Sequence, residues 1–221
     1  MKKRIAVLLA TTGLLAIGNL QADDSMVALE IELPKPLFAG TPKPISNIPN
    51  LEAPSSEPRK AIMVPKGTKN LAAGKTVTSS DDWPIIGDLE FVTDGDKEGE
   101  EGYYVELGPD TQWVQIDLVD VCHIHAVLAW HYHAEARVYH DVVVQVSNDP
   151  TFKDGVKTIY NNDHDNSSEQ GVGKDMAYVE TNEGRLMVAS ATGRYVRLYS
   201  GGNTSNKMNH YIEVEVYGQP R

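Results

Sequence analysis

The chain has 221 residues, of which 23% are charged, and its formal net charge is −11 at pH 7. This length is typical of one or two domains. A strongly acidic surface repels the phosphates of nucleic acids and of anionic lipids, so the composition argues against both as partners. The same carboxylates are suitable ligands for hard cations such as calcium.

Residues 1–22 have the organisation of a secretory signal peptide. Lys2, Lys3 and Arg4 form a basic start. An apolar run of residues 5–18 follows, and Ala22 supplies a small residue for cleavage. The run is too short to span a membrane, and no later run approaches that length. We therefore expect a secreted, periplasmic or cell-surface protein with no transmembrane segment in the mature chain. Loss of the three cations changes the formal charge from −11 to −14.

Residues 23–68 form a proline-rich segment. Eight of the twelve prolines lie between Pro34 and Pro65. Proline lacks an amide donor and disfavours helix interiors and central strands, so this composition predicts an extended arm or linker. Apolar residues that include Ile45, Ile48 and Leu51 interrupt the segment. A pure spacer does not need them, so we expect the arm to dock in part on the globular region.

From about residue 69 the sequence has the texture of a β-protein. Short runs rich in Val, Ile, Thr and Tyr are separated by clusters of Gly, Asn, Asp and Pro, and apolar and polar residues alternate most clearly at Trp113–Leu118 and Tyr211–Tyr217. This pattern predicts an all-β sandwich or barrel with one core at residues 69–218. Cys122 is the only cysteine and lies in one such run, which indicates a small buried residue rather than a reactive thiol.

Six runs in this region, in their order and spacing, resemble the discoidin domain, also called the coagulation factor 5/8 type C domain. Its relatives include the galactose-binding-like family 32 carbohydrate-binding modules. The resemblance extends to secreted bacterial proteins in which a proline-rich leader precedes such a domain. It implies a discoidin-type jelly-roll β-sandwich that binds a ligand without catalysing a reaction. The matching runs are Thr93–Lys97, Trp113–Leu118, Ile124–Trp130, Asp141–Asp149, Arg194–Leu198 and Tyr211–Gly218.

The resemblance also implies a structural calcium ion at the acidic turn. Its ligands would include Asp94, Asp96 and Glu213, together with backbone carbonyls near Val92 and Thr93. Calcium binds six to eight hard oxygen ligands, and a tight turn that contains glycine can direct carboxylates and carbonyls to one point. The alternative for Glu213 is an ordinary exposed glutamate on the polar face of the last strand.

In the resembling family, ligands bind to loops at one end of the sandwich. The corresponding loops here are Ser79–Asp88, His131–Tyr139 and Ser200–His210. A sugar site needs an aromatic face for the C–H side of the ring and planar polar groups for the hydroxyls. Structural alternatives exist: Trp83 next to Pro84 could cap the core, and asparagines are common in turns. The candidate ligand-binding residues are Trp83, His131, His133, Arg137, Tyr139, Asn206 and Asn209.

Five of the seven histidines lie between residues 123 and 140. In a strand, His-x-His places two imidazoles on one face, which can chelate zinc or copper. The spacing matches no known catalytic motif, and a catalytic zinc site also needs a third ligand and an open position. The histidines are His123, His125, His131, His133 and His140.

The sequence therefore predicts a secreted, non-catalytic binding protein whose ligand is a carbohydrate, held by loops of a calcium-stabilised jelly roll. One alternative is a protein-interaction or scaffold module of the cell envelope that binds a protein partner through the arm. A second alternative is a metal-dependent enzyme that uses the histidine cluster. No nucleophile elbow of the Gly-x-Ser-x-Gly type accompanies these features.

Overall fold

The computed structural model describes residues 25–37, 45–55 and 57–221, so the predicted signal peptide at residues 1–22 lies outside the described residues. Within them, the regular structure consists of β-strands and one short 3-10 helix, which confirms the all-β prediction. The elements are β1 (Met26–Ala28), β2 (Met63–Pro65), β3 (Lys69–Asn70), β4 (Val77–Ser79), the 3-10 helix (Leu89–Thr93), β5 (Val105–Leu107), β6 (Gln112–Trp130), β7 (Val143–Ser147), β8 (Lys157–Asn161), β9 (Arg185–Ser200), β10 (Asn209–Tyr211) and β11 (Glu213–Pro220).

Two long antiparallel strands, β6 and β9, organise the main sheet. They pair along most of their length, and the hydrogen-bonded order is β3-β11-β6-β9-β7-β8, with β4 added on β6. β10 pairs with β5, and β1 pairs with β2, in two separate two-stranded sheets. Consecutive strands are thus often not neighbours, as expected for a jelly roll.

The central strand β6 bends at Val119, whose φ of 74° lies in the left-handed region. The register with β9 shifts between Asp117 and Cys122. One carboxylate oxygen of Asp117 accepts a hydrogen bond from the Val119 amide at 2.8 Å, and both oxygens bind the Arg194 guanidinium at 2.7 Å. The predicted strands at 113–118 and 124–130 are therefore the two halves of one bent strand.

One hydrophobic core joins the two halves of the sheet. Ile116 and Leu198 come from the half that carries β4 and β7, and Val127 and Val214 come from the half that carries β11. All four side chains are fully buried. Burial of apolar surface contributes about 25 cal/mol per Å², so this shared core stabilises the sandwich as a single unit. The buried Cys122 side chain belongs to the same core, and burial raises its pKa.

The described part of the proline-rich arm packs on the domain through apolar residues. β1 and β2 pair within this segment, and the Leu29 amide donates to the Ile62 carbonyl at 2.9 Å. Leu29, Ile31 and Ile62 pack against a second apolar cluster that contains the fully buried Trp130. The apolar residues of this part of the arm thus have partners within the same chain.

Polar contacts fix the arm further along its path. Glu52 accepts two hydrogen bonds from Arg185 of β9, at 2.8 and 2.6 Å, and the same guanidinium lies 4.8 Å from the ring centroid of Tyr178. The Arg59 guanidinium donates to the Glu183 carbonyl at 2.6 Å. A bidentate arginine–carboxylate pair that also stacks on an aromatic ring is stronger than most polar contacts near the surface. In the part of the chain that the structure describes, no helix is long and apolar enough to cross a membrane.

Candidate functional site

The acidic turn follows the 3-10 helix and lies against the start of β11. The Gly95 amide donates to Oε2 of Glu213 at 3.1 Å, which joins two segments 118 residues apart. Asp94 and Asp96 are exposed, and each accepts a hydrogen bond from a backbone amide two residues ahead. Gly95 has a φ of 91°, a conformation that glycine adopts without a steric penalty. Glycine thus permits the tight turn that brings this backbone to Glu213.

Glu213 is fully buried at the turn, and its second oxygen has no partner. Oε1 forms no hydrogen bond. Burial raises the pKa of Glu213 to about 9, and the charges of Glu215 and Asp94 also raise it, while the Gly95 hydrogen bond and Lys97 lower it. A buried carboxylate with one unpaired oxygen is costly without a cation or a proton. An unpaired carboxylate oxygen is a hard donor of the kind that calcium prefers. The carboxylates of Asp94, Asp96 and Glu213 do not converge within 4.8 Å of one another in the described residues.

His131 and Tyr139, two predicted ligand-binding residues, instead form a buried network. Nδ1 of His131 lies 3.2 Å from Oε2 of Glu180, and its ring stacks on Tyr139 with centroids 4.3 Å apart. The Tyr139 hydroxyl donates to Nδ1 of His210 at 2.9 Å, and Nε2 of His210 donates to Glu106 at 2.9 Å. Burial lowers the pKa of His210 to about 3, so its imidazole is neutral. One ring nitrogen then accepts a hydrogen bond from Tyr139 and the other donates one to Glu106. We call these five residues the buried histidine network.

Three more of the predicted ligand-binding residues are also buried. His133 contacts the Lys97 carbonyl through Nε2 at 2.8 Å. Arg137 donates to Glu135 at 2.8 Å, and its guanidinium lies 4.5 Å from the ring centroid of Tyr132. Asn209 is fully buried, and its amide donates to the carbonyls of Gly108 and Asp110 at 2.8 and 3.0 Å.

Asn206 is exposed, but its side-chain oxygen closes the β9–β10 turn. It accepts from Nδ2 of Asn203 at 2.8 Å and from the Met208 amide at 2.9 Å. Of the seven predicted ligand-binding residues, five are buried and one closes a turn. In this structure five of the seven side chains are buried, whereas Asn206 and Trp83 are exposed.

Trp83 projects into solvent beside a surface cleft. Its side chain is 85% exposed, the highest value among the large apolar residues described. The cleft has a volume of about 870 Å³ and lies between the segment 74–77, the loop 82–90 and the end of the 3-10 helix. Large exposed aromatic side chains are uncommon in folded domains and mark binding surfaces when they border a concave region. We call this region the Trp83 cleft.

The loop that carries Trp83 is anchored by Asp81. Oδ1 of Asp81 accepts from the Trp83 amide at 3.0 Å, and Oδ2 accepts from the Gly108 amide at 2.9 Å. Further along the loop, the Ile85 amide donates to the Glu106 carbonyl at 2.7 Å. These backbone contacts attach the loop to β5 while the indole remains outside. Asp81 therefore holds the Trp83 backbone at a fixed place on the rim of the cleft.

Polar residues from three segments line the Trp83 cleft. Asp82 and Asp88 lie within the predicted ligand loop Ser79–Asp88, whereas Lys75 and Glu90 lie outside all three predicted loops. The only signal available in the sequence was the density of acidic residues around Trp83. The meeting of Lys75 with residues 82–90 depends on tertiary packing. The lining thus combines an aromatic face, planar acceptors and one cation, which are the groups that bind saccharide hydroxyls.

The histidine pairs do not form a metal site in the described residues. His123 lies 3.1 Å from the Thr192 hydroxyl through Nδ1, and burial lowers the pKa of the His125 imidazole. The group of potential ligand atoms that does converge there consists of the carboxylates of Asp141, Asp163 and Asp165. Asp163 accepts hydrogen bonds from Ser168 and Ser167, so it is already paired within its loop.

Comparison with known proteins gives structural relatives only. No protein-family model and no curated protein matches the sequence. A family 89 glycoside hydrolase from Clostridium perfringens, solved with GlcNAc-alpha-1,4-galactose, matches with a TM-score of 0.51 and 17% identity. That match covers 68% of this chain and 15% of the hydrolase, so the chain corresponds to a small segment of the enzyme.

Two smaller solved modules align over nearly their whole length. The family 32 carbohydrate-binding module of AlyQ, solved with 4,5-unsaturated mannuronic acid, has a TM-score of 0.46 and 19% identity over 64% of this chain and 92% of its own. A chitosan-binding module from Paenibacillus sp. IK-5 has a TM-score of 0.46 and 24% identity over 68% of this chain and 99% of its own. The strand order above and the likeness to the hydrolase segment confirm the predicted jelly-roll β-sandwich fold.

Proposed function

We propose that this protein is a non-catalytic carbohydrate-binding protein whose saccharide site is the Trp83 cleft. One observation carries the proposal: an indole that is 85% exposed stands on the rim of an 870 Å³ cleft lined by polar side chains. The resemblance of the sequence to discoidin-type carbohydrate-binding domains supplies the ligand class. The exposed Trp83 indicates where on the surface the saccharide binds.

The chemistry of the cleft suits a sugar ring. The indole face packs against the C–H side of a pyranose, and the carboxylates of Asp82, Asp88 and Glu90 accept hydrogen bonds from its hydroxyls. The cleft is open rather than enclosed, so a single site binds weakly and several copies on one polymer bind more tightly. Recognition of a polysaccharide therefore fits better than capture of a single free sugar.

A structural calcium ion belongs to the same proposal. Glu213 and Asp94, with carbonyls of the turn, are the residues that would hold it, and the unpaired Oε1 of Glu213 is the observation in its favour. A bound calcium ion would supply positive charge to a buried carboxylate. Asp94 also lines the Trp83 cleft, so order in the turn affects one wall of the proposed site.

Location outside the cytoplasm is the third part of the proposal. The basic and apolar pattern of residues 1–22 supports export, and calcium is abundant in extracellular surroundings. A secreted or cell-surface protein also meets polysaccharides directly.

A glycan and polysaccharide binding screen of the full chain tests the function, run once in calcium and once in chelator. We expect binding that falls in chelator and falls at least about tenfold in Trp83→Ala, because stacking on an aromatic anchor is a dominant contribution to such sites. Tyr103→Ala is the matched control, since this tyrosine is 57% exposed but does not line the cleft. Absence of any binding by folded protein would contradict the proposal and favour a protein partner of the cell envelope.

A further inference from the structure

The Trp83 cleft has an unbalanced charge. Asp82, Asp88 and Glu90 line it together with Asp94, whereas Lys75 is its only lining cation. Asp94 belongs to the acidic turn, so three carboxylates remain for the cleft itself. All three are exposed. The cleft therefore presents more negative charge than the hydroxyl groups of a neutral sugar require.

These three carboxylates are not neutralised by neighbours. Within the described residues, the side chains of Asp82, Asp88 and Glu90 make no hydrogen bond and no ion pair, and Asp88 forms no capping bond to the 3-10 helix that follows it. Lys97, which follows the acidic turn, is already paired with Glu215 at 2.7 Å. Elsewhere on this surface acidic groups do find partners, as Asp81 does with two amides. The free carboxylates are thus available to a ligand.

We propose that the ligand is a cationic saccharide, one whose sugar rings carry protonated amino groups. This inference rests on the proposed function and adds the ligand class. Each ammonium group meets one or two carboxylates while the indole face meets the C–H side of the same ring, and an aromatic face itself attracts a cation. Neutral and uronic-acid polymers lack the first interaction, and uronic acids are repelled.

The test uses ligand pairs that differ only in charge. Isothermal titration of the full chain at about pH 5.5, where Asp and Glu are mostly ionised, compares β-1,4-linked glucosamine oligomers with their N-acetylated forms. We expect about tenfold weaker binding of the N-acetylated oligomer, since each exposed ion pair changes affinity by a factor of about 1.5 to 5. The affinity for the amine form should also fall as salt rises, because exposed charges are screened beyond about 10 Å at 0.1 M.

Two double variants test whether the preference for the amine form arises in the cleft. Asp88→Asn with Glu90→Gln should abolish most of the preference for the amine form, because the affinity for the amine oligomer should fall much more than the affinity for the N-acetylated oligomer. Asp154→Asn with Glu169→Gln removes the same charge from exposed residues outside the cleft and should leave the preference intact. Equal effects of the two double variants would overturn the proposal, because the preference for the amine form would then depend on the net charge of the protein rather than on the cleft.

The outcomes separate this inference from the proposed function. Equal or tighter binding of N-acetylated or uronic-acid oligomers, lost in Trp83→Ala, overturns the amine preference and keeps the saccharide function. No binding of any oligomer by folded protein overturns both. A lysine oligomer that binds as tightly as the glucosamine oligomer, and equally to Trp83→Ala, overturns the saccharide class.

Discussion

The buried histidine network and the Trp83 cleft both combine aromatic rings with carboxylates, but the network is largely buried and the cleft is exposed. In the network, His131, Tyr139 and His210 use their polar atoms on one another and on Glu180 and Glu106. In the cleft, the indole and the carboxylates face solvent with no partner among the described residues. Residue type alone therefore does not identify a binding site. Exposure distinguishes the two regions, since unpartnered polar atoms occur in both: Nε2 of His131 and Oε1 of Glu180 are buried without a hydrogen bond.

The difference has an energetic reason. A polar group that is removed from water must find a partner, and once it has one it contributes to the stability of the fold rather than to binding. The network joins the β6–β7 loop, the β5–β10 pair and residue 180, so it fixes the loops at the end of the sandwich. The side chains of the cleft remain available to a ligand because other contacts already stabilise the fold.

The largest expected effect is on stability, at His131. His131→Ala leaves the Glu180 carboxylate buried without a partner, which typically costs about 3–5 kcal/mol. Urea unfolding followed by circular dichroism should show this loss, and the folded fraction should still bind saccharide. Adding Glu180→Gln to His131→Ala removes the buried charge and should restore part of the stability. If His131→Ala were as stable as the parent but no longer bound saccharide, His131 would have to be assigned to the binding site.

The second effect concerns calcium and Glu213. Calcium at a hundred times its dissociation constant stabilises the fold by about 2.7 kcal/mol, which corresponds to a rise of about 5–10 °C in the unfolding midpoint. Glu213→Gln should abolish this shift. Thermal unfolding with and without chelator measures it, and an equal shift in Glu213→Gln would place the ion elsewhere, for example at Asp141, Asp163 and Asp165.

The pH dependence in chelator provides an independent readout for the same residue. Folded Glu213 holds its proton up to about pH 9, while the unfolded chain releases it near the ordinary value of 4.5. Between these values the folded state binds more protons, so the contribution of Glu213 to stability is full at low pH and is lost as pH rises towards about 9. Relative to the parent, Glu213→Gln should show a flatter decline. With calcium present, the stability of the parent should no longer decline over this pH range.

The smallest effect is expected at Asp81. Asp81→Ala removes the acceptor for the Trp83 and Gly108 amides, so the loop is held less well while the indole itself is unchanged. We expect binding about five times weaker, from the loss of about 1 kcal/mol of hydrogen bonding. Titration measures the affinity, and Asp154→Asn, at an exposed residue outside the cleft, serves as a control for the loss of one charge. Unchanged affinity would show that Trp83 does not need a fixed position.

Much of the fold could be predicted from the sequence because strand patterns are local. The alternation at Trp113–Leu118 lies in β6, and Tyr211–Tyr217 runs from the end of β10 into β11. The bend at Val119 was not predicted, because it depends on the Asp117–Arg194 pair across 77 residues. The approach of Glu213 to the acidic turn came from the family resemblance, and the Gly95 hydrogen bond is consistent with it.

The site was harder to predict because burial is a property of the whole fold. The loop His131–Tyr139 has the composition of a ligand loop, yet Glu180 and His210 reach it from distant segments and pair with Nδ1 of His131 and the hydroxyl of Tyr139, both of which are buried. Lys75 and Glu90 lie outside the predicted loops for the converse reason, since they come together only when the segment before β4 and the 3-10 helix pack against each other. Trp83 could be predicted because it supplies an aromatic face in a loop that corresponds to a ligand loop of the resembling family.

The measurement that tests the central claim most directly is an NMR titration of the indole N–H groups with a glucosamine oligomer. The chain has three tryptophans, Trp83, Trp113 and Trp130, and their environments differ. Trp83 is exposed, Trp113 stacks on Arg197 at 4.1 Å, and Trp130 donates to the Asn182 carbonyl at 2.9 Å. We predict that the Trp83 signal shifts with ligand while the other two stay in place. Shifts confined to Trp130, or binding that moves none of the three signals, would contradict a saccharide site at the Trp83 cleft.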